Sequence, residues 1–166
     1  MSNLYQWSVW LHVLAAFVFF FSHGAEMATA FMLPKEKNAN GMKALLNITQ
    51  ITLIPFGVSM LLLLITSIYM GVTAGWWKKG WWELSFLLMV AMWVWMLWYA
   101  RKYYSPIRKA LGVEYMTGFG TPNPPEVPES MDVVYALIAK TNPRLLAWAG
   151  LIFTAVLLFL MRFKPF

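Results

Sequence analysis

Long apolar runs separated by short polar gaps dominate this chain. A helix needs about 20 apolar residues to cross the hydrocarbon core of a bilayer, and four segments reach or approach that length. These predicted spans, the first to the fourth, cover residues 7–33, 45–72, 84–99 and 145–161. The pattern therefore predicts an all-α fold, an integral membrane four-helix bundle in which residues 1–166 form a single membrane domain.

Composition points to the same environment. Of the 166 residues 60% are hydrophobic and only 12% are charged, which is unusual for a water-soluble fold, so we expect the lipid bilayer to surround the chain. The net charge of +6 is spread over short polar gaps instead of one arm, and we predict no binding to nucleic acid. The sequence has no cysteine, which excludes disulfides, thiolate metal sites and iron–sulfur clusters.

The positive charges and the tryptophans predict an orientation. The first apolar run lacks a basic leader and is too long for a signal-peptide core, so we expect it to remain as a span. With the amino terminus outside, the inner loops hold nine of the thirteen Lys and Arg residues. The positive-inside rule then predicts both termini outside and residues 101–144 in a cytoplasmic loop. Six tryptophans predict an aromatic belt at the outer surface: Trp7, Trp10, Trp76, Trp77, Trp81 and Trp82.

The predicted cytoplasmic loop contains one amphipathic segment. Its centre, "TGFGTPNPPEVPES", is too rich in Pro and Gly for a helix and is expected to be extended or turned. Ser130 can cap a short helix whose apolar residues recur at helical spacing, as is typical of a helix on the inner membrane surface. We expect a connector, with docking of a partner as the alternative. The stripe consists of Met131, Val134, Tyr135 and Ile138.

Three ionisable residues share one face of the first span. His12 and His23, the only histidines, lie about 20° apart around a helix, and Glu26 lies about 40° to the other side of His12. Ionisable groups at membrane depth are costly unless they are paired or wetted, so this stripe is the main functional hypothesis. Simple pairing of His23 with Glu26, and movement of protons or ions along the stripe, are the alternatives.

Imidazole without thiolates suits haem iron or copper better than a structural zinc site. We therefore predict a cofactor site at His12, His23 and Glu26, with the two histidines as metal ligands, haem b as the preferred group and copper as the second. Because no other span holds a histidine, the iron would be five-coordinate, take a methionine, or lie between two copies of the chain. Met89, Met92 and Met96 follow helical spacing along the third span.

The start of the second span adds polar groups at the depth of His23 and Glu26, and a hydrogen-bonded cluster is predicted there. Pro55 predicts a kink, and Gly57 predicts a close approach of another helix. The polar residues are Asn47, Thr49, Gln50 and Thr52.

The stretch "LHVLAAFVFFFSHGAEMATAF", the "GWW" before the third span and the ending "KPF" resemble a group of four-span bacterial membrane proteins. That group is related to the membrane part of the copper-resistance protein CopD and more distantly to HemJ-type protoporphyrinogen oxidase. In HemJ-type enzymes the early histidine of the first span is associated with haem b, which implies a haem contact at His12. This chain has "AEMATAF" where that family has a basic and aromatic cluster, and Ser85 where it has a lysine. The resemblance implies a shared scaffold in the bacterial plasma (inner) membrane and not protoporphyrinogen oxidation.

Two functions follow from these patterns. The first is a redox or haem-binding membrane protein that serves electron transfer or the handling of haem or copper. The alternative is a non-catalytic accessory subunit of a larger respiratory or photosynthetic membrane complex, which would dock on other subunits through the aromatic third span and the cytoplasmic loop.

Overall fold

A computed structural model describes residues 3–117 and 121–166 of the chain, which are mostly helical. Four of the helices are long and apolar enough to cross a membrane, which confirms the predicted all-α four-helix membrane bundle. Each of the four begins two to six residues before its predicted span, because capping residues and aromatic flanks extend the helix beyond the apolar run. In chain order the helices are α1 (Asn3–Met32), α2 (Ala39–Thr73), α3 (Gly80–Tyr99), α4 (Ser105–Ala110), α5 (Met131–Ile138) and α6 (Pro143–Phe163).

The helix ends follow local chemistry. A short 3₁₀ turn with Pro34 at its start ends α1, and the Asn38 side chain caps α2 by accepting from the backbone N–H of Asn40 at 2.9 Å. The side chain of Asn142 accepts from the N–H of Leu145 at 3.0 Å, and Pro143 occupies the first turn of α6. The connections are short at both ends of α2, so successive long helices run antiparallel.

The four long helices form two pairs. α1 packs along α2 and α3 packs along α6, whereas α1 meets α6, and α2 meets α3, only locally. We call the end with the α1–α2 turn and residues 100–142 the loop end, and the end with the α2–α3 turn and the carboxyl terminus the terminal end. A central core of Phe and Met side chains joins the pairs: Phe19, Phe56, Met60, Met89 and Met92.

The tryptophans at the terminal end divide between interior and surface. Trp81 and Trp82 are each only 5% exposed and pack with Leu160, so the predicted belt is wrong for these two residues. Gly71 makes room for Trp82, because a Cβ at this glycine would lie 2.7 Å from the indole. Three tryptophans keep large exposed surfaces, as the belt predicts: Trp7, Trp10 and Trp77.

At the loop end α5 folds back over the α1–α2 turn. Val134 and Ile138 are buried against an apolar cluster that includes Leu33 and Met42, and the Tyr135 hydroxyl donates to the Lys37 carbonyl at 3.0 Å. The amphipathic stripe is thus real, but it faces protein and not the membrane surface, because the α1–α2 turn offers the nearer apolar surface. Ser130 occupies the N-cap position without a side-chain hydrogen bond.

The Pro-rich centre of this loop is non-helical wherever it is described, as predicted, and residues 118–120 lie outside the described part of the chain. Backbone pairing of Tyr115 with Asn123 closes the loop on itself, and Lys109 forms a salt bridge with Glu126 at 3.1 Å.

The helix α2 continues through Pro55. The predicted close approach at Gly57 is wrong, because a Cβ there would meet nothing within 4 Å.

Candidate functional site

His12 is held by α2 through a single hydrogen bond. Its Nδ1 lies 2.8 Å from the hydroxyl oxygen of Thr66, a residue that is itself buried. The Thr66 hydroxyl has one proton, which it donates to the Leu62 carbonyl at 2.6 Å, as threonines in helices commonly do. With the Thr66 proton assigned to this carbonyl, the hydroxyl accepts from His12, and this assignment places the imidazole proton on Nδ1.

The other ring nitrogen of His12 consequently carries a lone pair. Within residues 3–117 and 121–166 no group is seen to donate a hydrogen bond to Nε2. A histidine whose Nδ1–H is fixed by a neighbouring acceptor while Nε2 stays unprotonated has the arrangement of a metal-bound imidazole. His12 is thus chemically prepared to act as a ligand through Nε2.

His23 has a different environment. Its ring stacks on Phe19 at 6.2 Å between centroids, and its Nε2 edge lies against Gly150 of α6, where there is no room for a Cβ. Its Nδ1 is sealed from solvent and has no hydrogen-bond partner among the described residues. Contact with α6 thus covers the nitrogen of His23 that would most readily reach a metal.

The two histidines do not form one site. They are about 16 Å apart along the helix axis, and His12 contacts α2 whereas His23 contacts α6. The described residues contain no group of three or more His, Asp or Glu side chains that could hold a metal ion. The alternative, a pairing of His23 with Glu26, is also not seen, because no hydrogen bond joins these side chains in the described part of the chain.

Glu26 and His23 instead line a cavity of about 180 Å³ near the loop end, between α1, α2 and the end of α3. Most of the wall is apolar and includes Met96, whereas Met89 and Met92 lie in the central core. Seven further residues with polar side chains contribute to the wall: Thr49, Gln50, Tyr99, Arg101, Tyr104, Ser105 and Arg108.

Two of these residues were missed by the sequence patterns. Arg108 is only 8% exposed, and its guanidinium donates to the carbonyls of Leu46 at 2.7 Å and Glu114 at 2.6 Å. The Tyr104 hydroxyl is buried without a partner among the described residues, and Tyr104 lines the cavity together with Glu26. A π-helical turn, Ala100–Tyr104, continues α3 and brings both side chains inward. The mixture of aromatic and basic residues in "YARKYYSPIR" was the available signal.

The predicted polar cluster on α2 is only partly present. Thr49 and Gln50 line the cavity, whereas Asn47 is exposed at the surface. The hydroxyls of Thr49 and Thr52 donate to carbonyls of their own helix, those of Leu46 at 2.7 Å and Ile48 at 3.1 Å. These threonines therefore shape the wall without forming a network with His23.

Comparison of the chain with protein-family models, with curated proteins and with solved structures finds no match. The resemblance to CopD-related and HemJ-type proteins stays a prediction. The chemistry of the site is accordingly argued from the geometry of its own residues.

Proposed function

We propose that this multi-pass membrane protein binds haem b through Nε2 of His12 and serves electron transfer or the handling of haem. One observation carries the proposal, namely the hydrogen bond between His12 Nδ1 and the Thr66 hydroxyl. With the Thr66 proton assigned to the Leu62 carbonyl, this bond places the His12 proton on Nδ1 and leaves the Nε2 lone pair free. An imidazole nitrogen without a partner is costly at membrane depth, and an iron ligand removes that cost. Bound there, haem would supply a one-electron carrier within the bilayer.

The packing of the helices supports a flat cofactor on this face. The α1–α2 pair and the α3–α6 pair are joined through the central Phe and Met core, and direct contacts of α1 with α6 and of α2 with α3 are only local. Ala16, one turn from His12 on the same helix, is small and only half-buried. Ala16 is therefore compatible with the close approach of a flat group beside His12.

We assign the haem contact to His12 and not to His23 or Glu26. The Nε2 edge of His23 is occupied by α6 at Gly150. The cavity beside Glu26 measures about 180 Å³, whereas pockets for drug-sized ligands begin at about 300 Å³, so a porphyrin does not fit there. Copper held by both histidines is also disfavoured, because about 16 Å separates them along the helix.

The test is a reduced-minus-oxidised absorption spectrum of protein purified in mild detergent after expression with ample haem. We expect a b-type α-band in the wild type and in His23→Ala, and its loss in His12→Ala. Thr66→Val should retain haem about 10-fold or more weakly, because the hydrogen bond that orients the ligand is gone. A flat wild-type spectrum, or a band that survives His12→Ala, would overturn the proposal, and a flat spectrum would favour the accessory-subunit alternative.

A further inference from the structure

The cavity at the loop end contains polar atoms that nothing in the described chain satisfies. His23 Nδ1 and the Tyr104 hydroxyl are both sealed from solvent and unpaired, and both residues belong to the wall of this one cavity. Buried polar groups in folded proteins nearly always have hydrogen-bond partners. Two unpaired polar atoms on residues that line one cavity therefore indicate a bound molecule that forms hydrogen bonds with them. A hydroxyl can donate or accept, and an imidazole nitrogen can do either according to its tautomer.

The polar groups of the wall are carried by different helices. His23 and Glu26 come from α1, and Tyr104 comes from the π-helical turn after α3. Between them the wall is apolar and includes Phe56 and Met96. A mostly apolar wall with a few polar groups from different helices fits a flat apolar ring that carries oxygen substituents.

Size and charge exclude other occupants. At about 180 Å³ the cavity takes a single substituted ring and not a larger cofactor. An anionic lipid headgroup is disfavoured because the Glu26 carboxyl lines the space and because both arginines of the wall already have partners. Arg108 donates to the backbone carbonyls of Leu46 and Glu114, and Arg101 is not free either.

The cavity also has an apolar way out. Leu53 of α2 and Ala100 after α3 line it and are exposed on the surface of the bundle, where these two helices meet only locally. A hydrocarbon tail attached to the ring would leave through this opening into lipid.

We propose that this cavity binds the head ring of a membrane quinone, with Tyr104 and His23 hydrogen-bonded to the ring oxygens and Glu26 beside them. The site is distinct from His12 and does not depend on haem binding there. It lies near one membrane surface, where a quinone ring can exchange protons with water while its tail stays in the bilayer.

The test is calorimetric titration of the full chain in mild detergent with a short-tailed benzoquinone, using empty micelles as the blank. We expect saturable binding to the wild type and a Kd raised about 5-fold or more in Tyr104→Phe, which removes one hydroxyl and keeps the ring. Tyr103→Phe is the matched control, because the neighbouring tyrosine does not line the cavity, and its Kd should equal that of the wild type. Glu26→Gln provides a second variant of unchanged shape, and its Kd should also rise.

Two outcomes overturn the proposal. One is the absence of saturable binding to the wild type, and the other is equal Kd values for Tyr104→Phe and Tyr103→Phe, which would mean that the cavity holds water only. Thermal unfolding of each variant shows whether it is folded, and if Tyr104→Phe is not, the Kd of Glu26→Gln decides. Binding of the benzoquinone to His12→Ala, whatever its haem spectrum, separates this proposal from the proposed haem site.

Discussion

At the scale of single residues, one hydroxyl determines the state of His12. Thr66→Val preserves the volume of the side chain but leaves the His12 Nδ1–H without its acceptor in a buried setting. We expect a loss of about 1–2 kcal/mol in the free energy of unfolding, measured by denaturant titration in detergent. Thr73→Val is the control, because that exposed threonine bonds only within its own helix. Equal stability of the two variants would mean that Thr66 does not hold the imidazole.

The contact between Gly150 and His23 gives a second prediction at this scale. Gly150→Ala places a Cβ in space that the imidazole occupies, so the pair must separate, at a cost of about 1–3 kcal/mol in unfolding free energy. Gly57→Ala is the matched control: the site is open, and alanine favours the helix by up to about 1 kcal/mol. If both substitutions changed stability alike, α6 would not pack against His23. Adding His23→Ala should remove most of the cost at Gly150.

At the scale of elements, α5 acts as a protein-facing lid. Ile138→Ala removes buried side-chain volume from the cluster at the loop end and should cost about 2 kcal/mol or more, whereas exposed Val133→Ala should cost little. Limited proteolysis of the loop that precedes α5 provides the measurement. We expect faster cleavage in Ile138→Ala, and equal cleavage rates in both variants would contradict the lid.

The loop before α5 should open at low pH. Hydrogen bonds from the Tyr115 hydroxyl and the Lys109 ammonium lower the pKa of the Glu126 carboxyl. A lowered pKa stabilises the folded loop above the carboxyl's ordinary pKa, and this contribution is lost as the pH falls through the lowered value. The protection factor of this segment, its hydrogen exchange relative to the intrinsic rate at the same pH, should therefore fall on acidification below about pH 4. Glu126→Gln should exchange quickly at neutral pH and lose most of this dependence.

The sequence patterns predicted the positions of the helices better than they predicted which helix faces are buried against protein. Apolar length set the four spans, and the spacing of Met131, Val134 and Ile138 located α5, because both signals are local. Hydropathy distinguishes residues in apolar surroundings from residues in water, but it does not distinguish residues that face lipid from residues that face protein. That is why the buried positions of Trp81 and the inward-facing stripe of α5 were not predicted. Tyr104 and Arg108 were assigned to a solvated loop for the same reason, since only tertiary packing brings them beside Glu26.

At the scale of the whole molecule, the two ends of the bundle carry different charge, and the inward position of the loop end stays a prediction. The absence of native cysteine allows single introduced thiols to report it. Lys37→Cys at the loop end should resist a membrane-impermeant maleimide added to intact cells, whereas Lys78→Cys at the terminal end should react. The reverse labelling pattern would show that the loop end faces outward, opposite to the prediction. Labelling of both residues after the cells are opened controls for access.

The hydrogen bond from Tyr135 to Lys37 joins positions 98 residues apart. During synthesis the α1–α2 hairpin can enter the membrane long before residues 131–138 leave the ribosome. The apolar surface of the α1–α2 turn therefore stays exposed until α5 has been synthesised. The lid closes only when the last quarter of the chain arrives. Truncation before α5 should therefore yield inserted but unfinished bundles, whose exposed turn is a natural target for membrane quality-control proteases.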